Sequence, residues 1–321
     1  MLKKTRNRNT EVELLAVLNA AVTEAPEPFQ SNDYFDDTVC LPNIRDTSFA
    51  MCADILCSAL FGTAKGNVRT TVDEIPRQGR AYVETTFKTT NGAFIEFRGK
   101  ELRQDDLTVL LQLVSLRAGM ATSCEIEFSP YAFLTKIGWS NNNISVGHLR
   151  ECLMRLRQAI VIIKRGGVKG EVSGFLSQFC WEGRTQWSVQ VDRRMVALLG
   201  TAPTYLVIAK RKQLSDGLQT WLYGYIRANQ CGWAVPLELI HAASGSQAAN
   251  MVEFARSVRD VLKKLAAIGV VTDASTVKNG KVAIFKVSGK PSSTTEPTAA
   301  AKAAGATLRN DMADVSPPGL C

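Results

Sequence analysis

Three consecutive amides, Asn141, Asn142 and Asn143, stand between two apolar stretches in YAFLTKIGWSNNNISVGHLRECLMRLRQAIVIIKRGG (131–167). A carboxamide carries a donor and an acceptor side by side, which matches the major-groove edge of adenine; guanidinium groups match guanine or phosphate oxygens. His148, Arg150 and Arg155 follow at helical spacing. A second set lies further along, where Ser246 and Gln247 precede Arg256, Arg259 and Lys263. Two basic turns extend the pattern: Lys164, Arg165 and Lys169 around Gly166-Gly167, and Lys278 and Lys281 around Asn279-Gly280. Basic hairpin tips suit phosphate contact. Asparagine also favours tight turns and helix N-caps, so the amide run fits that role too, and the two uses are compatible.

Other chemistries lack their residues. The eight cysteines form no CxxC pair and only His148 and His241 are present, so close ligand pairs for zinc are missing. Gly62-Thr63-Ala64-Lys65-Gly66 lacks the Gly-Lys-Ser/Thr ending of a phosphate-binding loop. No two histidines are spaced to hold a metal beside a nucleophilic tyrosine, as a DNA-nicking enzyme requires. The expectation is therefore a non-enzyme with no cofactor and no metal. A net charge of +8 over 321 residues is modestly basic, which fits a nucleic-acid partner and equally a plain soluble protein. No run of ~18 apolar residues occurs and neither end resembles a secretory signal, so no membrane partner is expected. Cys40, Cys52, Cys57 and Cys180 lie in apolar runs, as small core residues do in a reducing cytoplasm.

The elements that must position these groups follow from periodicity. Val12, Leu15, Leu18 and Val22 recur at helical spacing, giving a short helix over 11–22 that needs a partner surface. TSFAMCADILCSALFG (47–62) reads as helical, and RAYVETTF and GAFIEFRG as two strands joined across Thr89-Thr90-Asn91-Gly92. A helix over 105–118 and a strand over 124–128 come next. Ser129-Pro130 then opens a helix to Ile137, and after a turn a second helix spans Asn143 to Gln158. On that helix Val146, Leu149, Leu153 and Leu156 share the core side, leaving Ile144, Gly147, His148, Glu151, Arg155 and Gln158 outward. Segments 159–165 and 171–181 are expected to pair as a hairpin, with 186–191 as a third strand. The order returns with helices over 215–229, 237–243 and 247–268, and a hairpin of 270–272 with 282–287. The expectation is an α+β fold of two tandem winged-helix domains, 34–200 and 201–288, with an N-terminal helical extension (1–33) and a disordered C-terminal tail (289–321).

Four short motifs resemble a known family: Leu41-Pro42-Asn43, Ser58-Ala59-Leu60-Phe61-Gly62, the stretch Phe94 to Leu102, and Asp105-Asp106-Leu107-Thr108-Val109. In this order they are similar to plasmid replication initiators of the TrfA/RepA type. The resemblance covers roughly 40–200, and across 205–287 it rests on winged-helix order. Cys57 departs from the basic residue the pattern would place there. The resemblance implies an initiator that binds iteron direct repeats at a plasmid origin and opens the origin. It implies recruitment of the host replication initiator and replicative helicase, and repression of its own promoter as a homodimer formed through the first domain. It implies a bacterial cytoplasmic location. The alternative on the same fold is a transcriptional repressor without a replication role.

Overall fold

The structure is a computed structural model describing residues 47–64, 82–88, 94–117, 125–165, 168–172, 174–183, 185–192, 195, 203–229 and 234–287. The helix expected over 11–22, the Leu41-Pro42-Asn43 motif, the turns at 89–92 and 166–167 and the tail beyond 289 lie outside them. In chain order the elements are β1 (Ser48–Cys52), α1 (Ala53–Leu56), β2 (Phe61–Gly62), β3 (Tyr82–Lys88), β4 (Phe94–Lys100), β5 (Leu102–Arg103) and α2 (Gln104–Arg117). There follow β6 (Ile126–Phe128), α3 (Pro130–Ile137), α4 (Asn143–Gln158), β7 (Ile160–Arg165), β8 (Val168–Val172), β9 (Leu176–Glu182) and β10 (Gln186–Val191). The last set is β11 (Pro203–Val207), α5 (Ile208–Arg211), α6 (Leu218–Ala228), β12 (Ala234–Pro236), α7 (Leu237–Ser244), α8 (Met251–Ala267), β13 (Thr276–Lys278) and β14 (Lys281–Ala283).

One arrangement occurs twice. A helix, a short strand, two helices joined by a turn, and a hairpin run through α2–β6–α3–α4–β9–β10, with β7 and β8 inserted before β9, and again through α6–β12–α7–α8–β13–β14. In each three-stranded sheet the last strand lies in the middle: β6-β10-β9 and β12-β14-β13. The second hairpin turns on Asn279 (φ 49°) and Gly280 (φ 69°), two successive left-handed residues, as a two-residue turn requires.

Three expectations need correction. Segment 47–62 is a strand and a single helical turn rather than one helix, because β1 pairs antiparallel with β11 and is buried along most of its length. A strand covered on both faces shows no alternation, so its period is mute. Second, 159–165 pairs with 168–172, not with 171–181. Gly174 (φ +84°) breaks the long strand in two, and a Cβ there would lie 3.0 Å from the carbonyl oxygen of Arg157. The chain changes sheets at that glycine: β7 and β8 complete the four-stranded sheet β3-β4-β7-β8, while β9 turns back to β10 at Gly183. Third, the pairing of 270–272 with 282–287 holds only at its outer end, through a Val271–Lys286 bridge and a 2.7 Å bond from Thr272 N–H to the carbonyl of Phe285; the strand facing β14 across the Asn279-Gly280 turn is β13.

The described residues up to Lys286 form one compact unit, in which β1 and α1 pack on elements of the second half. Trp221 of α6 donates its indole N–H to the carbonyl of Ser58 (3.0 Å), and Asn229 donates to the Cys57 sulfur (2.9 Å). Gly224 lets α6 approach α1, since a Cβ there would meet Leu56 Cδ2 at 3.1 Å. Cys57, where the resemblance led to the expectation of a basic residue, is thus a buried packing group.

Two left-handed glycines separate strain from crowding. Gly174→Ala is expected to lower the unfolding free energy by about 2–3 kcal/mol in urea titration. Gly138→Ala, with φ +82° and nothing within 4 Å, should cost only about 1 kcal/mol. Equal losses would contradict the role given to the crowded backbone around Gly174.

Candidate nucleic-acid interface

In the first repeat α3 begins with Pro130 at its first position, after Ser129, and ends at Gly138, whose left-handed conformation stops the helix. A short turn then delivers Asn142 as the N-cap of α4: its Oδ1 accepts from the Ser145 N–H at 2.8 Å. Asn143 accepts from the Tyr131 hydroxyl at 3.3 Å, tying the start of α4 to α3. All three asparagines are exposed. The cap orients Asn142, and the tyrosine bond orients Asn143.

The roll of α4 decides what it presents. Leu149, Cys152, Leu153 and Leu156 are buried, and so is Arg155. Outward placement of Arg155 is therefore corrected. Its Nε and a terminal nitrogen lie 3.0 and 2.9 Å from Asp106 Oδ1 on α2, and the same nitrogen donates to the Cys152 sulfur at 3.2 Å. Burial pulls the Arg155 pKa down, but Asp106, Cys152 and Asp105 together more than compensate, and the net shift is upward. Burial, with Asp106 and Asp105 close by, pushes the Cys152 thiol well up. An arginine so buried and so paired is a structural cation.

His148 is also drawn inward. Its Nε2 lies 3.0 Å from Asp105 Oδ2, and its ring rests on Trp139 with centroids 4.9 Å apart. Ligand atoms of Asp105, His148 and Cys152 lie within 4.8 Å of one another, a geometry a metal could use. However, the Arg155 guanidinium sits 3.2 Å from the sulfur and 4.0 Å from Asp105 Oδ2, so the charge a cation would supply is already in place. The cluster acts as an ion-pair clamp on α4.

The outer arc of α4 runs through the exposed Asn143, Ile144, Arg150, Glu151, Arg157 and Gln158, with half-buried Gly147 among them. A Cβ on Gly147 would meet nothing within 4 Å, so no internal packing requires a glycine there. Arg150 lies 5.8 Å above the ring of exposed Trp181 on β9, which shields one side of the guanidinium and leaves its edge outward. Trp181 is a neighbour that sequence reasoning does not single out; a Trp at the polar end of a strand is its only signal.

In the second repeat Gly245 (φ 60°) ends α7, and Asn250 caps α8 by accepting from Val252 N–H at 2.9 Å. The helix starts at Met251, so Ser246 and Gln247 belong to the turn before it rather than to its first residues. Ser246 Oγ accepts from Ala248 N–H (3.3 Å), while Gln247 is exposed. His241 bonds the Ala248 carbonyl oxygen (3.0 Å) and meets Phe254 edge-on, a packing role. Phe254, Val258, Val261, Leu262 and Leu265 face the core. Val252, Arg256, Arg259 and Lys263 are exposed and fall within roughly 60° of arc at ~100° per residue.

The hairpins differ. Lys278 and Lys281 are exposed and are cross-strand partners in the tight turn of the second repeat. Like charges directly opposite repel, and a polyanion would relieve them. In the first repeat Lys164 pairs with Glu96 on the neighbouring strand. Its cross-strand partner is Lys169; the side chains of Arg165 and Lys169 lie outside the described residues. This turn belongs to the four-stranded sheet and is not the β9–β10 hairpin that closes the repeated arrangement.

Residues 33–284 match the family described as TrfA protein. The chain belongs to the TrfA family. The match runs through both repeats. A curated relative, the plasmid replication initiator protein TrfA of Escherichia coli, is 27% identical over 237 residues, covering 71% of this chain and 59% of the relative. The chain therefore spans less than two thirds of that relative. Two solved structures of RctB domains 2 and 3 are similar at 15% identity: one with TM-score 0.44 covers 66% of this chain and 94% of its own. The other, a selenomethionine derivative with TM-score 0.43, covers 65% and 90%. Among the described residues of this TrfA-family chain, no helix is long and apolar enough to cross a membrane.

Two substitutions on α4 should move stability in opposite directions. Arg155→Ala leaves Asp106 buried without its cation and should lower unfolding free energy by about 3–5 kcal/mol in urea titration. Gly147→Ala fills open space with a better helix former and should raise it by about 0.5–1 kcal/mol. A neutral Arg155→Ala would remove the clamp from the account.

Proposed function

We propose that the chain is a plasmid replication initiator that binds iteron direct repeats of duplex origin DNA through two winged helices, domains 34–200 and 201–288. α4 and α8 enter successive stretches of major groove, and the hairpin of the second repeat grips phosphate. The observation that carries this reading is the repetition: the same element order and sheet order, each time with an Asn-capped helix whose outer arc is exposed and bears arginine. Gly147 supports it, because a glycine that nothing inside the protein requires is explained by a surface approaching from outside.

In this reading Asn141, Asn142 and Asn143 reach base edges at the groove entrance, and Arg150 follows. In the second repeat Arg256, Arg259 and Lys263 line the groove, with Gln247 and Ser246 at its rim. Lys278 and Lys281 neutralise phosphate, as do Lys164, Arg165 and Lys169 along the first domain's flank. Arg155 and His148 contribute by holding α4 at its angle. Origin opening, recruitment of the host initiator and replicative helicase, self-association, repression of its own promoter and a cytoplasmic location complete the proposal. They rest on family membership and on the name borne by the Escherichia coli relative.

Footprinting on the replicon that encodes the chain tests the reading. Several helically phased direct repeats are expected, whereas one palindrome would indicate a repressor. In salt titration Lys281→Ala should reduce the slope of log affinity against log salt by about 0.9, the release of one counterion. Arg256→Ala should weaken specific binding by about 1–3 kcal/mol. Unchanged slopes and affinities would refute the contact face on the second repeat.

A further inference from the structure

Two apolar side chains are far more exposed than the other large hydrophobic groups described. Ile144 is 84% exposed and Val252 is 73% exposed, while the next stands at 49%. They occupy the same place. Each is the second residue of the helix that follows the turn of its repeat, directly after an asparagine cap, Asn142 in one and Asn250 in the other. Both are β-branched, a type that gains nothing from an exposed helical position. Neither has a second large exposed hydrophobic beside it in the chain: Ile144 follows Asn141, Asn142 and Asn143, and Val252 stands between half-buried Met251 and exposed Glu253, one turn before Arg256. A protein partner would call for a contiguous apolar surface, and it would not call for the same single residue in both repeats.

We propose that Ile144 and Val252 are specificity-determining residues that each contact the C5-methyl group of a thymine. This rests on the reading that α4 and α8 enter the major groove, and it assigns part of the sequence they prefer. Residues at the start of a groove-reading helix reach base edges, and the thymine methyl is the apolar group that groove displays. An isolated branched side chain among amides and arginines matches an isolated methyl among hydrogen-bonding atoms. On α4 the neighbouring Gly147 allows the helix to come close enough for contact, having no side chain and open space around it. Each DNA element recognised therefore carries at least two methyl-dependent thymines, one under each repeat.

The test uses the full-length chain and duplexes selected with it from a random-sequence library. Each thymine in turn is replaced by deoxyuridine, which removes the methyl and leaves charge and hydrogen bonding intact. Two positions are expected to lose roughly fourfold in affinity, the factor for burying one methyl group. Ile144→Ala should abolish sensitivity at one position and Val252→Ala at the other. Both side chains are exposed, so the variants should melt with the parent protein; Ile144→Thr and Val252→Thr, which keep branching and one methyl, should retain sensitivity. No deoxyuridine-sensitive position, or sensitivity that survives in both alanine variants, overturns the inference while groove binding stands. If the library yields no preferred duplex, the underlying reading fails instead.

Discussion

The buried pair between Asp106 and Arg155 fixes the geometry on which the proposed interface depends. Asp106 sits in the first turn of α2, where Oδ2 accepts from the Arg103 N–H at 2.9 Å and Oδ1 takes both contacts from Arg155. A carboxylate stripped of such partners in the interior is costly, so α4 cannot roll about its axis without large loss. Asp105 adds a second hold on the same helix through His148. The outward arc of Asn143, Ile144, Gly147 and Arg150 follows from that locked angle.

The helix that supplies those carboxylates also joins the two halves. Arg211 of α5 is fully enclosed against α2 and donates to Thr108 Oγ1 at 3.0 Å, with Gln104 and the carbonyl of Thr220 at longer range. Burial lowers its pKa to about 10, against the opposing pull of Asp216 and Tyr223, so it remains charged at neutral pH. α2 therefore contacts a cation from each half. The second helix proposed to enter the groove is held differently: α8 is fixed by an apolar stripe from Phe254 to Leu265, and its basic residues stay outside. One helix is set by charge inside, the other by charge outside.

Much of this was legible in residue order, and the exceptions have physical causes. α4 was readable end to end because the amide run marks its start and Leu149, Leu153 and Leu156 repeat at helical spacing. Its wheel put Arg155 on the outward face and could not show that a carboxylate from 49 residues earlier waits for it. The only hint was Asp105-Asp106 at the head of a helix otherwise buried almost all round. β1 was misread because burial on both faces erases alternation. Gly174 looked like one more glycine in a strand, and only the crowding against Arg157 reveals that the chain changes sheets there. The start of α8 was placed early because Ser246 and Gln247 resemble cap residues, whereas Asn250 makes the capping bond.

The central claim is that both repeats read the major groove of one duplex, and base-modification interference on a library-selected duplex carrying a single full-length chain addresses it most directly. The account predicts two separate groups of interfering major-groove positions, one lost in Arg150→Ala and the other in Arg256→Ala. A single group, or interference confined to the phosphates, would contradict it.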